Sequence, residues 1–296
     1  ISPGAGNTIS TNTSLSFTVT DELLAGTSTA TIYWSNASSN WNTTVSFNGT
    51  WSGTLSSLTT GLTDGTVTVT VNGQDWLGNQ RTVTLNSWTL NTTLVSTTVV
   101  ASGVITQSSV NWAGSSVSWT ATPPTNGWFR TTTQHSTQGQ IGSHSTNQTS
   151  STSWSQSNLE SGTLWLNVTT GDSFGRTMIE IYTYTIDPSV SSTPILIASG
   201  SHIVLSGTEY LGPSGRISLS NVVDSGGIGA SHAACYWNGA SGATTYAGGS
   251  SLTPPSSGGS TTTYTLGCQV VDLLGNEGPI VWHNGSVDLT LPNVTI

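Results

Sequence analysis

Lysine is absent from this chain. The fixed cations are four arginines, Arg81, Arg130, Arg176 and Arg216, against 13 Asp and Glu, giving a formal net charge of −9 over 296 residues. Charged residues make up 6% of the sequence, where an ordinary globular chain has roughly 25%. These shortages exclude whole classes of function. A protein that tracks nucleic acid neutralises phosphates with Lys and Arg, and four scattered Arg give no such footprint. The same scarcity argues against an anionic membrane surface. Schiff-base chemistry and lysine–asparagine isopeptide staples both need a lysine. No apolar run approaches the roughly 20 residues of a membrane-spanning helix. No basic-then-apolar leader precedes Ile1-Ser2-Pro3, so the sequence reads as processed or excerpted.

Catalytic signatures are missing as well. There is no Gly-X-Ser-X-Gly elbow, P-loop, His-Glu-X-X-His or Cys-X-X-Cys, and the five histidines are dispersed. His135 and His144 share a Ser/Thr/Gln-rich stretch from Thr131 to Ser157 that reads as a long loop or mobile edge. Asp21-Glu22, Asp75, Asp172 and Asp272 offer one or two carboxylates each, fewer than calcium usually takes. Their expected role is turn capping, and no metal, cofactor or catalytic residue is assigned.

In place of charge the chain carries hydroxyls: Ser and Thr fill about a third of it. Hydrophobic residues make up 34%, with 12 Trp, which is more than a disordered chain holds. Nine Asn-X-Ser/Thr sequons stand at Asn12, Asn36, Asn42, Asn48, Asn91, Asn147, Asn167, Asn284 and Asn293. With so little charge to keep it in solution, the expectation is a secreted protein with a coat of covalent glycans.

One pattern recurs three times. It runs Leu62-Thr-Asp-Gly65-Thr-Val67-Thr-Val69-Thr-Val71 to Asp75-Trp-Leu-Gly78-Asn79. It returns as Leu159-Glu-Ser-Gly162-Thr-Leu164-Trp-Leu166-Asn-Val168 to Asp172-Ser-Phe-Gly175. The third copy is Gly259-Ser-Thr-Thr-Thr-Tyr264-Thr-Leu266-Gly-Cys268 to Asp272-Leu-Leu-Gly275-Asn276. Apolar residues alternate with polar ones, as in a half-buried strand. The Asp-X-X-Gly that follows is a turn, with Asp bonding backbone amides and Gly taking a positive φ. Further alternating strands and Gly/Ser/Asn/Pro turns, without a capped helical stretch, predict an all-β chain of three tandem antiparallel sandwiches. The expected domains span residues 1–90, 91–187 and 188–288, with a separate strand at 289–296.

Gly-Thr-aliphatic-Thr-aliphatic followed by Asp-X-X-Gly-Asn and a strand resembles the late strands of the Ig-like domains strung in tandem through bacterial and archaeal surface proteins. Arg176 departs from that pattern at the Asn position. The resemblance implies an Ig-like fold and a place among spacers, adhesins, layer proteins and filament subunits, but not one function among them. Cys268 occupies the column of Val71 and Val168. Cys235, in Ala234-Cys-Tyr-Trp237, occupies the column of Ile32 in Thr31-Ile-Tyr-Trp34. Two cysteines in facing core columns of a secreted chain favour a disulfide. Trp34, Trp119 and Trp237 align as structural residues, whereas Trp76, Trp154 and Trp165 are expected to be exposed, with Trp165 the candidate glycan platform.

The second and third repeats are each entered through an apolar strand, around Val99-Val100 and Ile195-Leu-Ile197. The first begins at Ile1-Ser-Pro-Gly4, already at the turn, and Leu289-Thr-Leu-Pro292-Asn-Val294-Thr-Ile296 follows the third as a surplus strand. The expectation is a head-to-tail homopolymer at the cell surface, with Leu291, Val294 and Ile296 as the donated strand, or else one segment of a longer array. The alternative function is an adhesin stalk or glycan-binding array.

Overall fold

The computed structural model describes residues 5–19, 27–35, 40–45, 49–58, 63–75, 77–256 and 259–294. These form 23 strands and one helical turn. The first group comprises β1 (Thr8–Ile9), β2 (Ser14–Val19), β3 (Thr27–Ser35), β4 (Asn40–Val45), β5 (Gly49–Thr54), the turn α1 (Leu55–Leu58), β6 (Gly65–Asp75) and β7 (Gln80–Leu90). One sheet has the order β1-β7-β6-β3-β4, and a separate two-stranded sheet pairs β2 with β5. Strand β1 runs parallel to β7, with Ile9 opposite Leu90. In β6 the alternation read from the sequence is the burial pattern: Val67, Val69 and Val71 are buried, and Thr66 faces solvent.

The second group comprises β8 (Thr98–Gln107), β9 (Val110–Thr122), β10 (Gly127–His135), β11 (Gly139–Gln148), β12 (Thr152–Ser157), β13 (Gly162–Asp172) and β14 (Thr177–Ile186). The start of β9 runs parallel to β14, with Ala113 opposite Ile186, and its end pairs with both β8 and β12. One strand therefore serves both faces. The core holds Val117, Trp119, Phe129, Leu164, Leu166 and Val168, with Tyr184 beside them. The Trp119 indole N–H donates to the Tyr184 hydroxyl at 3.0 Å, so the polar tip of each buried ring is satisfied. The stretch Thr131–Ser157 is not a long loop. It carries the end of β10, all of β11 and all of β12, with β11 at the sheet edge. Thr, Ser and Gln suit an edge strand because one side of it stays wet, so of the two alternatives, loop or edge, the fold takes the edge.

The third group comprises β15 (Ile195–Ser199), β16 (His202–Leu205), β17 (Thr208–Leu211), β18 (Arg216–Ser220), β19 (Ala230–Trp237), β20 (Thr244–Tyr246), β21 (Ser251–Leu252), β22 (Thr261–Asp272) and β23 (Val281–Asp288). Its sheets are β15-β18-β21 and β16-β17-β23-β22-β19-β20. Between them lie Leu211, Ile217, Leu219, Leu252, Tyr264, Leu266 and the cystine Cys235–Cys268. Sheets packed face to face in this way form a β-sandwich, the architecture the sequence predicts. By packing, the chain divides into two compact units. The first holds residues 1–97, 123–128 and 170–178, and the second holds 98–122, 129–169 and 179–296.

Candidate functional site

The aspartate turns are built alike in the two units. In the first, Asp172 ends β13, and its Oδ1 accepts the amides of Phe174 (2.9 Å) and Arg176 (3.1 Å). Gly175 completes the turn at φ +77°. The Arg176 side chain lies across the same carboxylate, with Nε 2.7 Å and Nη2 2.6 Å from Asp172 Oδ2. The guanidinium also donates from Nη1 to the Asn91 carbonyl and from Nη2 to Asn91 Oδ1, each at 3.1 Å. The departure from the Asn pattern thus leaves the turn intact and adds a cation that ties it to the segment after β7.

In the second unit, Asp272 Oδ1 accepts the Asn276 amide (2.8 Å) and Oδ2 accepts Asn276 Nδ2 (2.7 Å), which also donates to the Asp187 carbonyl at 2.8 Å. The sequence reading weighed carboxylates that are near each other along the chain; the fold also brings Asp187, Asp224 and Asp272 together, with one oxygen of each within 4.8 Å of the others. Burial, and then the charges of Asp224 and Asp272, raise the Asp187 carboxyl above its ordinary value, although the Ile228 amide donates to it at 2.9 Å. Among the described residues this is the group whose donor set would suit a hard divalent cation. Much of its oxygen capacity is already used, by Asn276, by the Ile228 amide and by the Gly229 amide on Asp224 Oδ2. Nothing in the sequence pointed to it, because 37 and 48 residues separate consecutive members (224 − 187 and 272 − 224).

The cystine is formed. Cys235 on β19 stands directly opposite Cys268 on β22, as Ile32 stands opposite Val71 across β3 and β6. Both sulfurs are buried, as an inert structural bridge requires.

Strand β18 has β15 on one side and β21 on the other, and the end of β9 likewise lies between β8 and β12. Strand β2, in the matching place, pairs with β5 alone among the described residues. After β23, residues 289–294 form no strand: Leu291 is 91% exposed and Val294 77%, while Leu289 packs on the core of the last group. Ile296 lies outside the described residues.

The remaining sequence candidates are scattered. Trp154 is not exposed; it packs against the second group's core, with its ring centroid 5.8 Å from that of Trp119 and 6.3 Å from that of Phe129. Trp165 is half-buried. Trp282, which the sequence did not single out, is 53% exposed. Trp76, Asp21, Glu22, Asn36 and Asn48 lie outside the described residues. Asp75 ends β6, Asn42 lies on β4, and His144 and Asn147 lie on β11. His135 is buried. Its Nε2 stands 3.0 Å from the Glu160 carbonyl, and its Nδ1 accepts the Thr137 amide at 3.3 Å, which makes it a loop tie. Of the other sequon asparagines, Asn12, Asn284 and Asn293 are exposed, Asn167 is half-buried, and Asn91 is held by Arg176.

No family model matches the sequence, and no curated protein matches it. Among solved structures the chain is similar to a segment of a 1.5-MDa bacterial ice-binding adhesin studied for host cell surface retention. The identity there is 18%, over 96% of this chain and 94% of that one, at a TM-score of 0.37. It is also similar to fibronectin(III)-like modules of Clostridium thermocellum CbhA, at 14% identity over 63% of this chain and 92% of that one, TM-score 0.26. A third is a putative membrane-anchored protein from Corynebacterium diphtheriae, at 10% identity over 99% and 92%, TM-score 0.28.

Proposed function

We propose that this chain is a non-enzymatic structural subunit of an extracellular filament or cell-surface array. Its copies join head to tail, the segment after β23 of one copy pairing with β2 of the next. The observation that carries this reading is the two-stranded sheet β2–β5, standing where β15-β18-β21 has three strands. An open edge leaves unpaired backbone donors and acceptors, and another strand is what satisfies them. The exposed residues Leu291 and Val294 are of the kind such an edge accepts. A contact of this type does not close on itself, so it propagates as a fibre.

The third group supplies a register. There Leu196 lies opposite Leu219 and Ala198 opposite Ile217. Pro292-Asn-Val-Thr-Ile296 aligns with Pro194-Ile-Leu-Ile-Ala198. Phe17 and Leu15 stand in β2 where Leu219 and Ile217 stand in β18. Donation in that register would set Val294 opposite Phe17, Thr295 opposite Ser16 and Ile296 opposite Leu15, with Asn293 and Thr295 on the outer face. A chain carrying Ser16→Cys and Thr295→Cys should give a reducible ladder of covalent oligomers, and deleting residues 291–296 should give monomers. A truncated chain that still polymerises would overturn strand donation. A full chain that stays monomeric would leave β2 to a strand from elsewhere in a longer array.

A further inference from the structure

We propose that Asn284 carries an N-linked glycan whose first sugar packs on the free face of Trp282. The proposal is independent of strand donation, since it concerns the outer face of β23.

In β23 the ring of His283 turns inward to stack on Tyr264, with ring centroids 6.1 Å apart. Trp282 and Asn284 therefore stand together on the opposite face, and both are exposed. Residues i and i+2 of a strand lie about 6.6 Å apart along it. That spacing sets a pyranose bonded to Asn284 Nδ2 above the six-membered ring of the indole. The indole is held flat for this. Trp282 is the cross-strand partner of Gly267, and a Cβ on Gly267 would stand 2.5 Å from Cζ3 and 2.8 Å from Cε3 of the ring. Only glycine lets the ring lie down across β22. One face then rests on backbone and the other is open to solvent. On the far side of Gly267 stands Tyr236, so the platform runs across three strands. An indole 53% exposed on an outer face has no core to fill. The adjacent sequon Asn284-Gly285-Ser286 supplies an apolar sugar face within reach.

The modification balances with a lipid-phosphate-linked sugar as donor. The bond from anomeric carbon to phosphate oxygen breaks, and the bond from that carbon to Asn284 Nδ2 forms. The proton lost from Nδ2 leaves with the lipid phosphate. Ser286, whose hydroxyl completes the sequon, is buried in the folded sheet, so the transfer precedes the docking of β23. The same Trp-X-Asn spacing occurs at Trp165 and Asn167 on β13, where both side chains are half-buried. Of these two, Asn284 is the more open site.

The test uses the native glycoprotein. Mass spectrometry of the peptide containing Asn284 should show it carrying hexose or hexosamine mass; a peptide found only unmodified would overturn the proposal. The packing is read by a double-mutant cycle. Trp282→Ala should lower the melting temperature by several degrees in the glycosylated chain and by clearly less in an Asn284→Gln background. Equal shifts would overturn the stacking. Should Trp282→Ala fail to fold, iodide quenching of tryptophan fluorescence serves instead. It should increase in the Asn284→Gln chain by about the share of one newly exposed indole among 12, and no increase would count against the contact. If Asn284 is bare and Trp282→Ala abolishes binding of free sugars, the platform serves a foreign glycan and the proposal fails.

Discussion

Two aspartate turns of common design are stabilised in opposite ways. Asp172 and Asp272 close the same turn with the same amide contacts. Around Asp172 the chain places Arg176, so the carboxylate has its counter-charge at 2.6 Å, and Asn91 beside it is neutral. Around Asp272 the corresponding residues are Asn276 and Asp187, and Asp224 joins them. The formal balance is 0 for Asp172 with Arg176, against −3 for Asp187, Asp224 and Asp272. The last group has meanwhile gained a covalent bond where the first has an apolar pair: Cys235–Cys268 in the column of Ile32 and Val71. A turn can thus keep its backbone geometry while its electrostatics invert, because the Asp-X-X-Gly frame is fixed by main-chain bonds that any net charge allows.

The largest expected effect comes from undoing the covalent difference. Cys235→Ile with Cys268→Val imitates the first group. The bridge spans 33 residues of sequence, and closing such a loop in the unfolded chain is worth about 3–4 kcal/mol on the chain-entropy model. The double variant should lose about that much in denaturant unfolding, less whatever the Ile–Val contact returns. A loss under about 1 kcal/mol would mean that the apolar pair alone suffices in both places.

Next is the loss of the guanidinium. Arg176→Met keeps the aliphatic stem and removes the charge, leaving Asp172 unpaired and two acceptors of Asn91 unfilled. Breaking a buried pair costs about 3–5 kcal/mol. The side chains here are 17% and 11% exposed, so about 2–3 kcal/mol is expected for the first unit, read from its denaturation midpoint. Arg176→Asn should recover part of this by restoring the contact that Asn276 makes.

The converse exchange is a gain of smaller size. Asn276→Arg brings a cation to the three carboxylates. It gives up the Nδ2 bonds to Asp272 and Asp187, but an arginine in this frame makes their equivalents beside Asp172. With divalent ions chelated, the second unit should gain about 1 kcal/mol at neutral pH, within the range for partly exposed ion pairs. Unchanged or lower stability would show that the two turns are not interchangeable in their surroundings.

What the sequence revealed, and what it hid, divides along the same line. Alternation in β6, β13 and β22, the Asp-X-X-Gly turns and the aligned cysteine columns are local or periodic, so they could be read from the letters. The sequence left Thr131–Ser157 open between loop and edge because Thr and Ser serve an edge strand as well as a loop. Alternation in β12 says which face Trp154 takes, not that the second group's core covers that face. The carboxylate trio was hidden for a different reason. It is assembled by β15–β22 folding back over the segment that leaves β14, and no periodicity records that convergence. Trp282 escaped notice because its platform depends on a glycine across the strand.

The smallest effect tests the sign of the contrast. Burial and the charges of Asp224 and Asp272 raise the Asp187 carboxyl in the folded chain, whereas in the unfolded chain it titrates near 3.9. A raised acid costs stability at every pH above its folded value. That cost is relieved as pH falls through the folded value and is gone below the unfolded one. Asp64 in the first unit is the opposite case. The hydroxyl of Thr92, followed by its amide, holds the carboxyl below its ordinary value, so its contribution persists until the pH drops under the usual carboxylate range. Asp288, lowered by Thr290, loses its contribution in that same acid range. As the pH falls from neutral towards the ordinary carboxylate range, therefore, acidification should strengthen the second unit around Asp187 before it touches the Asp64 contact. Amide exchange at Ile228 and Gly229, corrected for intrinsic rate, should slow over that interval in chelator. Asp187→Asn, whose Oδ1 can still accept the Ile228 amide, should abolish the dependence and raise stability at neutral pH. If exchange at Ile228 instead quickens on acidification, the carboxylates are held apart by something other than their own repulsion, and the contrast with Arg176 has been read with the wrong sign.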